Sequence, residues 1–130
     1  MNQQPAPVPA PLKAAVGNVV TGTNALAAST LGNKNIATGT NVTANIARVN
    51  TNNNKAAKAF TTGVNNIEKA INMPNMNVNK KLKNSLVVAQ KHFTTAAINA
   101  AANQPIKAAN HARRGIGALK NYIGANLANS

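Results

Sequence analysis

Fourteen lysine and arginine side chains are the groups in this sequence best placed to do chemistry, and that chemistry is ion pairing with an anion. The sequence has only one acidic side chain, Glu68, so the formal net charge is +13. General acid–base catalysis draws mainly on His, Glu and Asp held close together, and this chain offers one Glu and two His. The composition therefore predicts a binding or structural protein rather than an enzyme, with no catalytic residues.

Metal and cofactor chemistry is not predicted either. The sequence contains no cysteine, which removes disulfides and thiolate metal ligands. His92 and His111 are too few, with one carboxylate, to supply a usual metal ligand set. We expect both histidines to lie on helix surfaces, near phosphate or solvent.

The excess of positive charge predicts a polyanionic partner. A small soluble domain usually mixes both signs, at a net charge of magnitude about 2–8. Thirteen net charges match about thirteen phosphates, and duplex DNA carries one phosphate per about 1.7 Å, so one copy matches on the order of 20 Å of duplex. Three aromatic residues are too few for the stacking platforms that hold single strands. The pattern favours a duplex bound through its phosphates, largely independently of its base sequence.

The candidate phosphate-binding residues are spread along the whole chain. This even spread disfavours a short localisation signal or a polybasic membrane tether. We expect Arg113 and Arg114 to clamp a phosphate, and three residues of the N-terminal part to assist the others. The complete set is Lys13, Lys34, Arg48, Lys55, Lys58, Lys69, Lys80, Lys81, Lys83, Lys91, Lys107, Arg113, Arg114 and Lys120.

Three amphipathic helices are predicted within residues 54–130. Pro74 ends the first helix, and Pro105 suits the first turn of the third. Each helix carries its cations away from an alanine-rich apolar face, and such faces bury little area, so we expect packing between subunits to complete the core. The apolar faces comprise Phe60, Val64, Ile67 and Ile71, then Leu82, Leu86, Ala89, Phe93, Ala96, Ala97 and Ala100, then Ala109, Ala112, Ile116, Leu119, Ile123 and Leu127.

Residues 1–53 are predicted to form an extended arm with weak helices. Prolines alternate with Ala and Val in the first eleven residues, which is typical of a polyproline-like segment. Four glycines interrupt the remainder, and its apolar residues only approximate a helical stripe: Val16, Val19, Val20, Leu26 and Leu31. We therefore expect an all-α fold, with this arm followed by a basic nucleic-acid-binding domain of about three helices in residues 54–130.

The arrangement resembles the major capsid proteins of filamentous and rod-shaped archaeal double-stranded DNA viruses, of the tristromavirus and rudivirus kinds. Residues 115–126, GIGALKNYIGAN, are similar to a run near the end of rudivirus-type coat proteins, in which Lys120 and Tyr122 occupy matching positions. The resemblance implies that paired subunits clamp linear duplex DNA, hold it in the A-form and repeat as a helical filament. It also implies a location in the virion, and in the host cytoplasm during assembly. The implied partners are further copies of this chain or a second capsid subunit, together with a viral envelope.

Two other functions stay open at the level of sequence. A nucleoid-type protein would compact DNA without building a shell. An internal virion protein would bind anionic membrane through its amphipathic helices, although the chain has no Trp anchor and few bulky apolar residues.

Overall fold

The computed structural model describes residues 8–74 and 80–128, and the side chains of all of these except residues 81, 82 and 123–128. Four helices occupy the two described ranges: α1 (Ala10–Ala37), α2 (Val42–Ile71), α3 (Lys80–Ala101) and α4 (Pro105–Ala128). Neither range contains a strand, so the predicted all-α class is confirmed. Pro5, Pro7 and the Asn-rich residues 75–79 lie outside the described residues, as do the side chains of Lys81, Leu82, Ile123 and Leu127.

Successive helices pack side by side in an antiparallel arrangement. Residues near the start of α1 meet residues near the end of α2, as Asn18 meets Asn66, and Ser29 further along α1 meets Asn53. The contacts of α1 with α2 and of α3 with α4 are extensive, whereas α1 and α4 touch over a much smaller surface. The fold is therefore two helical hairpins joined along α2 and α3.

Each helix buries a stripe of residues spaced alternately three and four apart, the spacing of helices that cross at a shallow angle. Small residues fill many of these positions, so the backbones approach closely. The stripes are Leu12, Ala15, Val19, Gly22, Leu26 and Ser29 in α1; Asn53, Ala56, Phe60, Gly63, Ile67 and Ala70 in α2; Leu86, Ala89, Phe93, Ala96 and Ala100 in α3; and Ala108, Ala112, Gly115, Leu119 and Tyr122 in α4.

Two stacked phenylalanines join the hairpins. Phe60 of α2 and Phe93 of α3 are fully buried, with ring centroids 6.0 Å apart and an interplanar angle of 8°. Each ring also lies against a glycine of its own hairpin: a Cβ on Gly22 would stand 2.8 Å from Cζ of Phe60, and one on Gly115 would stand 2.6 Å from Cε1 of Phe93. Glycine is required at both positions because any side chain would displace a ring that is held from its other side.

Gly115→Ala is expected to lower the free energy of unfolding by about 1–3 kcal/mol, because the new methyl group overpacks the Phe93 ring. Gly117→Ala is the matched control, since a Cβ there would meet nothing within 4 Å. Alanine at that helical position should leave stability unchanged or raise it by up to about 1 kcal/mol. Chemical denaturation followed by circular dichroism measures both variants, and equal effects would contradict the close contact.

The predicted extended arm is not confirmed. Ala10–Ala37 form one helix of 28 residues, in which Gly22 and Gly32 are contact points for α2 rather than breaks. A Cβ on Gly32 would stand 2.6 Å from Cγ2 of Val49. Packing against α2 thus outweighs the low helix propensity of glycine. The expected stripe was only partly right, since Val19 and Leu26 are buried but Val16, Val20 and Leu31 are exposed.

The predicted three-helix C-terminal bundle is likewise not confirmed, because α1 completes the bundle as a fourth helix. The expected boundary between residues 53 and 54 lies inside α2, which runs without interruption from Val42 to Ile71. The three predicted helices do occur, as the second part of α2, as α3 and as α4. Helix α4 begins at Pro105, as predicted, and α2 ends three residues before Pro74.

Asparagine amides tie the hairpins together at one end of the bundle. The Oγ of Ser29 donates to Oδ1 of Asn53, whose Nδ2 donates to Oδ1 of Asn103 at 3.0 Å. Asn33 donates to the same Asn103 oxygen at 3.0 Å. Asn103 lies in the α3–α4 turn with a positive φ of 56°, a conformation that asparagine tolerates better than most residues. Asn33, Asn53 and Asn103 therefore serve contacts between helices.

Candidate nucleic-acid interface

Cationic side chains are exposed on all four helices. Lys83 is half-buried, and the side chain of Lys81 lies outside the described residues. The exposed members of the predicted set number twelve: Lys13, Lys34, Arg48, Lys55, Lys58, Lys69, Lys80, Lys91, Lys107, Arg113, Arg114 and Lys120. The structure therefore presents positive charge around the bundle rather than in one patch.

Helix α2 carries the longest row of these cations. At about 100° per residue, Lys58 and Lys69 lie nearly opposite the buried Phe60 and Ile67, and Arg48 and Lys55 lie on the adjoining face. All four are exposed. They extend over 21 residues of helix, or about 32 Å. A row of this length can contact phosphates over several base pairs.

The single carboxylate takes part in the contact between α2 and α3. Oε2 of Glu68 accepts a hydrogen bond of 2.8 Å from Nε2 of Gln90, and Oε1 accepts one of 3.2 Å from Nδ2 of Asn72. Nε2 of Gln90 also donates to the Val64 carbonyl at 3.2 Å. One carboxylate can balance only one of fourteen cations, so the surface keeps a strong positive potential.

Arg113 and Arg114, the predicted phosphate clamp, face different neighbours. They are about 100° apart around α4. Nη1 of Arg113 donates to Oδ1 of Asn110 on the same helix at 3.0 Å. Arg114 lies near enough to His92 of α3 for its charge to lower the pKa of that histidine. Both guanidinium groups are exposed, but the structure associates Arg114 with the histidines rather than with Arg113.

A groove of about 530 Å³ between α1 and the start of α4 brings together two lysines that the sequence assigned to separate parts of the chain. Lys34 comes from the last turn of α1 and Lys107 from the first turn of α4. The groove lies beside the Asn33–Asn103 hydrogen bond. Its lining is Thr30, Asn33, Lys34, Asn103, Gln104, Pro105, Ile106 and Lys107.

His92 and His111 face each other across α3 and α4. Their Nδ1 atoms are 3.4 Å apart, and their rings lie with centroids 5.6 Å apart at an interplanar angle of 30°. Burial lowers the pKa of His92, and the charges of His111 and Arg114 lower it further. The sequence predicted each histidine on a helix surface but did not predict the pair. Because Pro105 was predicted to begin the third helix, folding the second and third predicted helices against each other at that point could have suggested the pair.

Lys120 and Tyr122, the two residues that the sequence analysis singled out within residues 115–126, have different surroundings. Lys120 is exposed, as a phosphate contact requires. Tyr122 is 5% exposed and belongs to the buried stripe of α4, where burial raises the pKa of its phenol. Tyr122 therefore supports the core beneath the cationic surface.

Comparisons with known proteins give no relative for this chain: no family model matches it, and no curated protein or solved structure is significantly similar. Within the described parts of the chain, none of the helices combines the length and the hydropathy needed to cross a bilayer. The function is therefore proposed from features of the chain itself.

Proposed function

We propose that this protein is a viral structural protein, a major capsid or nucleocapsid protein, that coats linear double-stranded DNA through phosphate contacts and polymerises into a helical filament. The observation that carries the proposal is the exposure of twelve cationic side chains on all four helices of a chain with one carboxylate. The resemblance of residues 115–126 to rudivirus-type coat proteins supports the virion as the setting.

The burial of every aromatic side chain supports a duplex as the ligand. Phe60, Phe93 and Tyr122 are the three aromatic residues of the chain, and each is at most 5% exposed. Proteins that hold single strands stack bases on exposed aromatic rings. Without such rings, the surface can grip the phosphate backbone but cannot hold unstacked bases.

Charge matching supports coating by paired subunits. Helix α2 has 30 residues and is about 45 Å long, a length over which duplex DNA carries about 26 phosphates. One copy supplies a net +13, which balances about half of them. Two copies on opposite sides of the duplex would neutralise it over the length of one bundle.

The dependence of duplex affinity on salt tests the proposal. Fluorescence anisotropy with a labelled duplex should show affinity falling at least about a thousandfold between about 50 and 200 mM salt, as expected for six or more phosphate contacts. A second duplex of equal length and different sequence should give the same curve, and a single strand should bind more weakly. A shallow salt dependence, or a strong preference for one sequence, would count against phosphate-based coating.

A further inference from the structure

His92, His111 and Arg114 form a cationic cluster across α3 and α4. The imidazoles meet through their Nδ1 atoms at 3.4 Å, and both rings are half-buried, whereas Arg114 is exposed beside them. Glu68 does not balance this cluster, because it bonds to Gln90, which lies about 200° around α3 from His92. Among the described groups, His111 and Arg114 of α4 are the two whose charges lower the pKa of His92.

The geometry distinguishes two protonation states of the pair. With at least one ring neutral, one Nδ1–H can donate to the other Nδ1, and the pair holds α3 against α4. With both rings protonated, both Nδ1 atoms carry hydrogens, so the mutual hydrogen bond is broken and two charges stand beside Arg114. An anionic oxygen placed between the rings can accept from both, and the guanidinium can bind a second oxygen of the same group.

We infer that His92, His111 and Arg114 form a phosphate site that takes up protons when it engages a phosphate of the bound duplex, so that DNA binding strengthens as the pH falls. This inference rests on the proposed function, since it assigns one site within the proposed DNA-coating surface. The ligand class is a phosphodiester, and the site differs from the surrounding lysines in being sensitive to pH.

The sign of the pH dependence follows from the direction of the pKa change. In the free protein the pKa of His92 lies below the usual 6.5, so the ring is neutral near pH 7. A bound phosphate supplies the missing negative charge and raises that pKa. The complex then holds more protons than its free components, so affinity rises as the pH falls through the window near and below 6.5. If binding takes up one whole proton, the duplex affinity rises tenfold for each pH unit of acidification.

The stability of the free protein should change in the opposite direction and decrease as the pH falls. The unfolded chain binds a proton to His92 more readily than the folded chain does, because the folded-state pKa is depressed. The stability that the neutral His92 ring contributes is therefore present above about pH 6.5 and disappears as the pH falls below it. Duplex binding is expected to remove this acid sensitivity.

The test measures duplex affinity of the full chain from about pH 8 to about pH 5 at constant ionic strength. The expected result is a three- to tenfold gain in affinity on acidification for the unmodified protein, and no gain for the His92→Gln/His111→Gln double variant. Thr94→Gln/Asn121→Gln, which alters exposed residues of the same helices, is the matched control and should keep the gain. A flat profile in the unmodified protein, or a gain that survives in the double variant, would overturn the inference.

Failure of the site and failure of the proposed function give different results. Absence of duplex binding near pH 8 would refute DNA coating itself, whereas salt-sensitive binding without the pH dependence would refute only the histidine site. Should the double variant fold poorly, NMR titration of the His92 ring in the unmodified protein replaces it. The pKa of His92 should rise by about one unit or more when a short duplex binds. An unchanged or lowered pKa would overturn the inference.

Discussion

Replacing Arg48, Lys55, Lys58 and Lys69 with glutamine is expected to weaken duplex binding about tenfold at about 0.1 M salt for each phosphate that these side chains no longer neutralise. The salt slope should become shallower by about 0.9 for each such phosphate. All four side chains are exposed on α2 and none belongs to its buried stripe, so the bundle should fold as before. Fluorescence anisotropy over a range of salt concentrations measures affinity and slope together.

A variant of α2 with unchanged charge is the control for this experiment. Asn50, Asn54, Thr62 and Asn65 are exposed neutral residues of α2, and their replacement by glutamine should leave affinity and slope unchanged. Wild-type affinity and slope in the charge-removed variant would show that the α2 row does not bind phosphate.

Phe93→Ala is expected to lower the free energy of unfolding by about 3–5 kcal/mol. The ring is fully buried, stacks on Phe60 and fills the space above Gly115. Twelve of the 23 buried hydrophobic residues in the described chain are alanines, whose short side chains cannot move into the cavity. Since a domain of this size is stable by about 5–15 kcal/mol in total, the variant should lose much of its stability.

Urea denaturation followed by circular dichroism measures this destabilisation. Ile98→Ala on the same helix is the control, because Ile98 is 63% exposed and its truncation should change stability by no more than about 0.5 kcal/mol. Comparable destabilisation of the two variants would contradict the placement of Phe93 at the centre of the bundle.

The second half of the fold was predictable because bulky residues mark its buried faces. Phe60 and Ile67, Leu86 and Phe93, and Leu119 recur at helical spacing, and all are buried. Pro74 and Pro105 marked two helix boundaries, because a proline inside a helix removes a backbone hydrogen bond and clashes with the preceding turn. The exposure of Lys58, Lys69, Lys91 and Lys107 followed from the same helical phase.

Helix α1 was not predictable in the same way, because small and polar residues occupy its buried face. Gly22, Ser29 and Gly32 are buried through contacts with Phe60, Asn53 and Val49 of α2. Nothing local distinguishes these positions from a flexible, glycine-interrupted segment. Their role depends on partners 17 to 38 residues away along the chain, which periodicity along one helix does not reveal.

The exposed cationic residues were predictable as a set, but their arrangement was not. The sequence showed which side chains carry charge, whereas the His92–His111 pair and the groove shared by Lys34 and Lys107 arise only when helices meet. Both features join elements that are separate along the chain, so charge and helical phase alone could not identify them.

Electron microscopy of linear duplex DNA saturated with the protein at low salt tests the coating function most directly. Charge matching predicts continuous filaments of constant diameter, with two copies on each length of about 45 Å of duplex. Irregular condensates would indicate a compacting protein instead, and bare duplex beside free protein would contradict DNA coating altogether.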